Sequence, residues 1–290
     1  MLSTNTMPER TADLHLHTRF SDGTQTPERV VELAAQAGLS AMAITDHDNT
    51  EALAVAQPAA RRHGIELIAG VEMSASADGL EVHVLGFLLE LDSPVLQQHM
   101  AEQQARRVTR VHEMVQRLGA IGVTIEAEEV LQLAGEGTVG RPHVARALLR
   151  HGYVSTVAEA FGRYLGPDNP GFVPGSPLPP SRIIRVIREA GGVPVLAHPI
   201  YLKRDPLIDQ LVQEGLVGLE VYHSGHTPEV VQRYEQIADR LQLLKTGGSD
   251  YHGDSKEGLP VGAVKVPYAL VERLKRWKAE QRSNADHPRS

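Results

Sequence analysis

Histidines and carboxylates recur in this chain at spacings that suit metal binding. His15 and His17 are two residues apart in a mostly apolar stretch, and Asp250 and His252 have the same spacing. Side chains alternate across a β-strand, so residues at this spacing share one face. Imidazole and carboxylate groups are ligands for divalent transition metals. Each pair could therefore contribute to the chelation of one ion.

Further polar residues occur at or near the ends of other predicted strands. They are His47, Glu72, His83, His198 and His223. A lone histidine at a strand end is more often a hydrogen-bonded structural residue, and Glu72 by itself could cap a helix or form an ion pair. Those separate explanations predict no common location. In a parallel barrel, however, the carboxyl ends of the strands form one face, on which active sites are built.

Alternation of strand and helix patterns predicts the elements that would position these residues. The predicted strands are Ala12–His17, Ser40–Thr45, Glu66–Val71, Leu80–Leu88, Val193–Ala197, Val217–Tyr222 and Leu243–Thr246. Only helical patterns occur between residues 94 and 165, and a loop rich in Pro and Gly follows. Repeated strand–helix units favour a parallel sheet, either closed as a barrel or open and doubly wound. We predict an α/β unit over 10–93 and 181–282, with a helical insertion over 94–180 that caps the substrate.

Composition excludes several classes of site. The chain has 290 residues, a formal net charge of −7 and no cysteine, so disulfides, thiolate nucleophiles and cysteine-ligated metals are excluded. The acidic balance argues against holding duplex DNA by bulk charge. No apolar run approaches the ~20 residues that span a bilayer, and the first ten residues do not resemble a signal peptide. We expect a cytoplasmic protein with no membrane association, and nothing indicates an obligate protein partner.

Seven stretches, in order from Asp13 to His252, resemble the motifs of the PHP (polymerase and histidinol phosphatase) family. They are Asp13–Thr18, Ser21–Gly23, Ile44–Asp48, Gly70–Glu72, His83–Gly86, Ala197–Pro199 and Gly248–His252. The resemblance implies a distorted (β/α)7 barrel that holds two or three divalent metal ions at the carboxyl face and hydrolyses phosphate esters. Manganese is the expected metal, with iron or zinc as alternatives.

The same resemblance implies three groups of metal ligands. The first comprises His15, His17, Glu72 and Asp250. The second shares Glu72 and adds His83 and His198, and the third comprises Asp22, His47 and His252. A carboxylate has two oxygens, so Glu72 could bridge two ions. Asp46 and Asp48 flank a ligand and are interpreted as supporting residues.

The helical insertion resembles that of stand-alone PHP enzymes that act on nucleoside 3′,5′-bisphosphates and on the 5′ end of short RNA. The resemblance lies in Gly140–Arg146, Phe161–Leu165, Gly171–Val173 and Ser224–His226. It implies hydrolysis of the 3′-phosphate of such bisphosphates, and of short 5′-phosphorylated RNA, by attack of metal-bound hydroxide. His226 is a candidate catalytic proton donor. Asp168 and Asn169 stand where some relatives carry a basic residue.

Arg141 and His143 begin a predicted helix after Gly140. An arginine fork matches paired phosphate oxygens, and a helix amino terminus favours an anion. We predict that both residues contact the substrate phosphate that is not cleaved. The alternative is that Arg141 is a surface residue paired with a glutamate.

Other functions remain open on sequence grounds. A histidinol-phosphate phosphatase or another small phosphomonoesterase would use the same metal ligands, but the insertion would then lack an explanation. An amidohydrolase-type carboxamide or lactone hydrolase also uses a barrel with clustered histidines. A non-catalytic metal-binding module, like PHP domains appended to polymerases, is expected to lack some ligands, whereas all nine positions are filled here.

Overall fold

A computed structural model of the protein describes residues 9–253 and 259–286. Eight strands form one sheet in the order β7-β6-β5-β4-β3-β2-β1-β8. The strands are β1 Thr11–Leu16, β2 Ala41–Ile44, β3 Glu66–Ala77, β4 Leu80–Phe87, β5 Val193–Leu196, β6 Gly218–His223, β7 Leu244–Gly248 and β8 Val266–Pro267. The sheet curls into a nearly closed barrel surrounded by helices, which confirms the predicted α/β barrel.

Ten α-helices lie in the described part of the chain. They are α1 Pro27–Gln36, α2 Ala52–His63, α3 Pro94–Ala120, α4 Ala127–Ala134, α5 Arg141–Arg150, α6 Val157–Ala160, α7 Pro180–Glu189, α8 Pro206–Gln213, α9 Pro228–Arg240 and α10 Tyr268–Asp286. A π-helical turn, Phe161–Leu165, continues α6, and a 3₁₀ turn, Pro199–Leu202, follows β5. None of the described helices is both long enough and apolar enough to span a bilayer.

Contacts between β1 and β7 bring the two sides of the barrel together. The buried Asp13 carboxylate accepts hydrogen bonds from the Ser249 backbone N–H at 2.9 Å and from the Ser249 hydroxyl at 2.6 Å. The His17 N–H donates to the Tyr251 carbonyl at 2.9 Å. Gly248 allows this approach, because a Cβ there would lie 2.4 Å from both the backbone nitrogen and the Cβ of His15. The closure places the ends of β1 and β7 side by side.

Strand direction differs from the expected parallel sheet in three places. β4 pairs antiparallel with both β3 and β5, and β8, a strand that we did not predict, pairs antiparallel with β1. Asp78 and Gly79 connect β3 to β4, both with positive φ, as a tight hairpin turn requires. Because β4 runs in reverse, His83 near its start lies opposite Ser74 of β3, at the same end of the barrel as the carboxyl ends of the parallel strands.

The helices from α3 to α6 form an apolar cluster of their own. Its buried members include Val111, Met114, Leu118, Val144 and Leu148. The first turns of α3 instead pack on the barrel core, so this helix joins the two parts. The predicted domain boundaries at residues 94 and 180 remain a prediction.

Candidate metal centre

The nine predicted metal ligands converge at one end of the barrel. Their nitrogen and oxygen atoms form four overlapping groups, and within each group the atoms lie within 4.8 Å of one another. The groups are His17–Asp22–His47–His252, His15–His17–Asp250, His15–Glu72–His198 and His47–Glu72–His83. Residues from 15 to 252 in the sequence therefore build a single cluster.

Glu72 occupies the centre of this cluster and is 1% exposed. Its Oε1 lies 2.8 Å from His83 Nδ1 and 2.8 Å from His198 Nε2. Its Oε2 lies 3.2 Å from His17 Nε2 and 3.3 Å from His47 Nδ1. Each oxygen thus faces a different set of imidazoles, as a bridging carboxylate would.

The donor atoms fit divalent cations. His15 Nε2 and His17 Nε2 are 3.1 Å apart, and each lies 3.4 Å from Asp250 Oδ1. Two imidazole nitrogens and a carboxylate oxygen that face one small space could hold a metal ion between them. Nitrogen and carboxylate donors in this number suit Mn²⁺, Fe²⁺ or Zn²⁺.

The electrostatics of the cluster also favour bound cations. Burial lowers the pKa of His83, but Glu72 and Glu81 outweigh it and raise that pKa to about 10. Burial likewise lowers the pKa of His17, while Asp250 and Glu72 raise it to about 9. Burial would raise the pKa of Glu72, but the imidazoles of His47 and His83 hold it well below its usual range. The carboxylates therefore carry enough negative charge to hold positive charge on buried groups.

Asp46 and Asp48 support the cluster, as interpreted from the sequence. Asp46 accepts hydrogen bonds from the Thr18 N–H at 2.7 Å, the Thr18 hydroxyl at 2.6 Å and the Ser21 hydroxyl at 2.5 Å. These bonds fix the loop that carries Asp22. Asp48 accepts from Arg107 Nε at 2.8 Å, which attaches α3 to the cluster.

Two supporting residues were missed by the sequence analysis or left undecided. Glu220 in β6 is fully buried; its Oε1 lies 2.8 Å from His15 Nδ1, and its Oε2 accepts the His198 N–H at 2.7 Å. A lone glutamate in a buried apolar strand was the signal that could have identified it. His223 Nδ1 accepts from the Gly225 N–H, which leaves its Nε2 to donate towards Asp250 Oδ2 at 3.3 Å.

A cavity of about 460 Å³ opens beside the cluster. Asp22, His47, Glu72, His198 and Asp250 lie on its barrel side. The helical insertion contributes four arginines and one aromatic ring to the lining, namely Arg107, Arg110, Arg141, Arg146 and Phe161. Tyr201, from the 3₁₀ turn, also lines it. The cavity therefore combines a metal-binding side with a cationic side.

Arg141 lines this cavity and also pairs with Glu81. Its guanidinium carbon lies 5.7 Å from the ring centroids of both Phe161 and Phe172, which hold it in place. Arg110, which we did not predict, donates through Nε to the Val173 carbonyl at 3.0 Å, and its buried Nη2 has no hydrogen-bond partner in the described structure. Burial lowers the pKa of Arg110 to about 10. These two guanidiniums, which we call the arginine clamp, both line the cavity.

His143 and His226 do not line this cavity, and their roles as phosphate contact and proton donor remain predictions. His143 lines a second cavity of about 640 Å³ instead. His143 is 1% exposed, and its Nδ1 accepts the Gly140 N–H at 3.1 Å, which caps α5. His226 Nδ1 donates to the Val221 carbonyl at 2.8 Å, and its ring lies 5.2 Å from that of His223, behind the cluster. Both residues belong to the framework that holds the site.

Comparison with known proteins agrees with this geometry. Residues 13–162 match the PHP domain family. The chain is 35% identical over 246 residues to a phosphoribosyl 1,2-cyclic phosphate 1,2-diphosphodiesterase from Eggerthella lenta, covering 83% of this chain and 94% of the relative. It is 34% identical over 249 residues to a 5′-3′ exoribonuclease from Escherichia coli, and the match covers 83% of this chain and 84% of the relative. It is 33% identical over 256 residues to a 3′,5′-nucleoside bisphosphate phosphatase from Chromobacterium violaceum, and the match covers 86% of this chain and 90% of the relative.

A solved structure from Bifidobacterium adolescentis, assigned as a metal-dependent phosphoesterase, superposes with a TM-score of 0.85 at 35% identity. The superposition covers 92% of this chain and 96% of that structure. Fold, motifs and cluster therefore agree. The chain belongs to the PHP family and is a metal-dependent hydrolase of phosphoric esters.

Proposed function

We propose that this enzyme removes the 3′-phosphate from nucleoside 3′,5′-bisphosphates. The observation that carries the proposal is the presence in one cavity of both the metal cluster and the arginine clamp, Arg110 and Arg141. A small ligand with two phosphates could present one to each. The relative from Chromobacterium violaceum bears the name of this activity.

The nine clustered residues would hold two or three divalent ions, with Glu72 shared between them, and manganese is the expected metal. Such ions would lower the pKa of a water so that a nucleophile forms near neutral pH, and they would polarise the phosphoryl oxygens. Glu220 accepts the Nδ1–H of His15, which would leave the lone pair on Nε2 available to a metal ion. His223 donates to Asp250 and so orients that carboxylate.

The arginine clamp would bind the phosphate that is not cleaved. Arg141 presents a planar fork that matches two phosphate oxygens, and its two aromatic neighbours restrict its motion. Arg110 offers the unpartnered Nη2. Glu81, paired with Arg141, balances part of this positive charge before a ligand arrives. A phosphate held here would fix the distance of the scissile phosphate from the cluster.

Short 5′-phosphorylated RNA is a second candidate substrate, favoured by a second cavity of about 640 Å³. Arg19, Arg146 and Arg150 line it, and Arg146 also lines the first cavity. Within the described residues, none of the three arginines has a carboxylate at ion-pair distance, although the chain is acidic overall. The remainder of an RNA strand could leave the first cavity along this surface. The relative from Escherichia coli bears the name 5′-3′ exoribonuclease.

Release of phosphate from the small phosphate esters, and release of mononucleotides from RNA, test the two candidates. The substrate panel would contain adenosine 3′,5′-bisphosphate, 3′-AMP, 5′-AMP, histidinol phosphate and a 5′-phosphorylated triribonucleotide, with metal content measured on the same sample. We expect the bisphosphate to give the highest kcat/KM. Replacing Arg19 and Arg150 by glutamine should slow turnover of the triribonucleotide alone. Full metal occupancy with no turnover of the bisphosphate would refute the first candidate.

A further inference from the structure

Tyr201 is an aromatic residue exposed inside the catalytic cavity. Tyr201 is 58% exposed. Within the described part of the chain, five large apolar residues are exposed, and Tyr201 is the aromatic residue among them. The others are Val108, Ile121, Leu149 and Leu259, none of which lines this cavity. An aromatic ring that faces solvent beside a metal cluster offers an apolar surface to whatever binds there.

The backbone around Tyr201 is built to hold the ring in this position. β5 ends in Leu196, and the 3₁₀ turn is flanked by two residues with positive φ, His198 at 25° and Lys203 at 52°. Leu202 of the same turn is buried in the barrel core, which anchors the turn while Tyr201 projects from it. Positive φ at non-glycine residues is costly, so the surrounding structure must enforce this turn.

The neighbours of Tyr201 fix its ring beside the cluster. The ring centroid lies 5.3 Å from that of His198 and 5.9 Å from that of His223. Gly225 provides room for the phenol, because a Cβ at that position would lie 2.8 Å from the Tyr201 hydroxyl oxygen. His198, His223 and Gly225 therefore help to position the ring, and Tyr201 lines the cavity.

We infer that Tyr201 is the stacking platform for the nucleobase of the substrate. The inference rests on the proposed function, in which the two phosphates are bound by the cluster and the arginine clamp. Neither of those sites recognises a base, and a phosphorylated sugar alone would satisfy both. Every nucleobase has a π-face, so stacking on Tyr201 selects nucleotides over sugar phosphates without selecting one base.

Binding measured by calorimetry on the metal-loaded enzyme tests the inference with two ligands that lack the 3′-phosphate. The two ligands are 5′-AMP and methyl β-D-ribofuranoside 5-phosphate, which has the same sugar and phosphate but a methoxy group in place of the base. We expect the wild type to bind 5′-AMP about 5- to 150-fold more tightly, the range that stacking of one base supplies. Tyr201→Ala should remove most of this ratio by weakening only 5′-AMP, and Tyr201→Phe should preserve it.

Ile121→Ala is the matched control, since it removes an exposed apolar side chain outside the cavity and should leave both affinities unchanged. An unchanged ratio in Tyr201→Ala would overturn the inference, as would failure of the wild type to prefer 5′-AMP. Because no bisphosphate is used, the result is separate from the proposed function. A Tyr201-dependent ratio in an enzyme that does not cleave bisphosphates would leave the inference standing and refute the function alone.

Discussion

The Glu220 carboxylate lies 2.8 Å from His15 Nδ1, and both side chains are fully buried. This contact orients the imidazole of His15 so that its other nitrogen, Nε2, faces Glu72 and Asp250. The second oxygen of Glu220 accepts a hydrogen bond from the backbone N–H of His198. One carboxylate therefore positions two candidate ligands, one in β1 and one just after β5. The metal centre therefore depends on a residue that does not reach its interior.

Replacing Glu220 by glutamine should weaken metal binding by about 10- to 100-fold, the usual effect of losing a carboxylate behind a ligating histidine. The amide can accept one hydrogen bond but not both, and it removes the charge that favours the present His15 orientation. Competition with a chromogenic chelator measures the affinity. Glu235→Gln is the control, because Glu235 accepts a hydrogen bond from the Tyr222 hydroxyl and is not among the clustered residues. Equal affinities for Glu220→Gln and the control would contradict this role.

Arg141→Ala should raise KM for adenosine 3′,5′-bisphosphate by about 10- to 100-fold, the loss expected for charge-assisted hydrogen bonds. It should change KM for 3′-AMP only slightly, because 3′-AMP has no second phosphate for the clamp. Steady-state kinetics with both substrates provides the comparison. Arg240→Gln serves as the control, since Arg240 pairs with Asp209 and does not line the cavity. An equal rise in KM for both substrates would remove the proposed role of Arg141.

His143 should make the fold sensitive to acid. Burial lowers its pKa from 6.5 to about 4, so as the pH falls below about 6.5 the unfolded chain takes up a proton that the folded chain does not. The free energy of unfolding therefore decreases between about pH 6.5 and 4, by up to about 3 kcal/mol from this residue. His143→Asn keeps an acceptor for the Gly140 N–H without titrating. Urea denaturation at pH 7 and pH 5 should show a smaller loss for this variant, and identical losses would refute the assignment.

Gly248→Ala should destabilise the barrel by roughly 1–3 kcal/mol or prevent folding, because the new methyl group would press on the backbone of His15. Gly119→Ala is the matched control: Gly119 is in α3, and a Cβ there meets nothing within 4 Å. Replacing a helical glycine by alanine is expected to stabilise by about 0.5–1 kcal/mol. Thermal denaturation of both variants makes the comparison. A stable Gly248→Ala protein would show that β1 and β7 do not approach as described.

The resemblance to the PHP motifs identified the nine residues that cluster in the structure, whereas strand spacing alone pointed to the His15–His17 and Asp250–His252 pairs. Neither predicted the reversal of β4, although the Asp78-Gly79 pair that makes the hairpin is a recognised turn signal. His143 shows a different limit: a residue in the first turn of a helix can face a cavity or cap the helix, and only packing decides. Arg110 and Tyr201 could not be assigned from sequence because their place in the cavity depends on how the insertion and the 3₁₀ turn pack on the barrel.

Anomalous diffraction from crystals grown with Mn²⁺ tests the central claim, that residues from seven separate stretches of the chain form one metal centre. We expect two or three anomalous peaks, with at least one at coordination distance from Glu72 and all of them bordered by the nine clustered side chains. The account would be contradicted if the protein hydrolyses phosphate esters with Mn²⁺ but its crystals show no anomalous peak at coordination distance from Glu72.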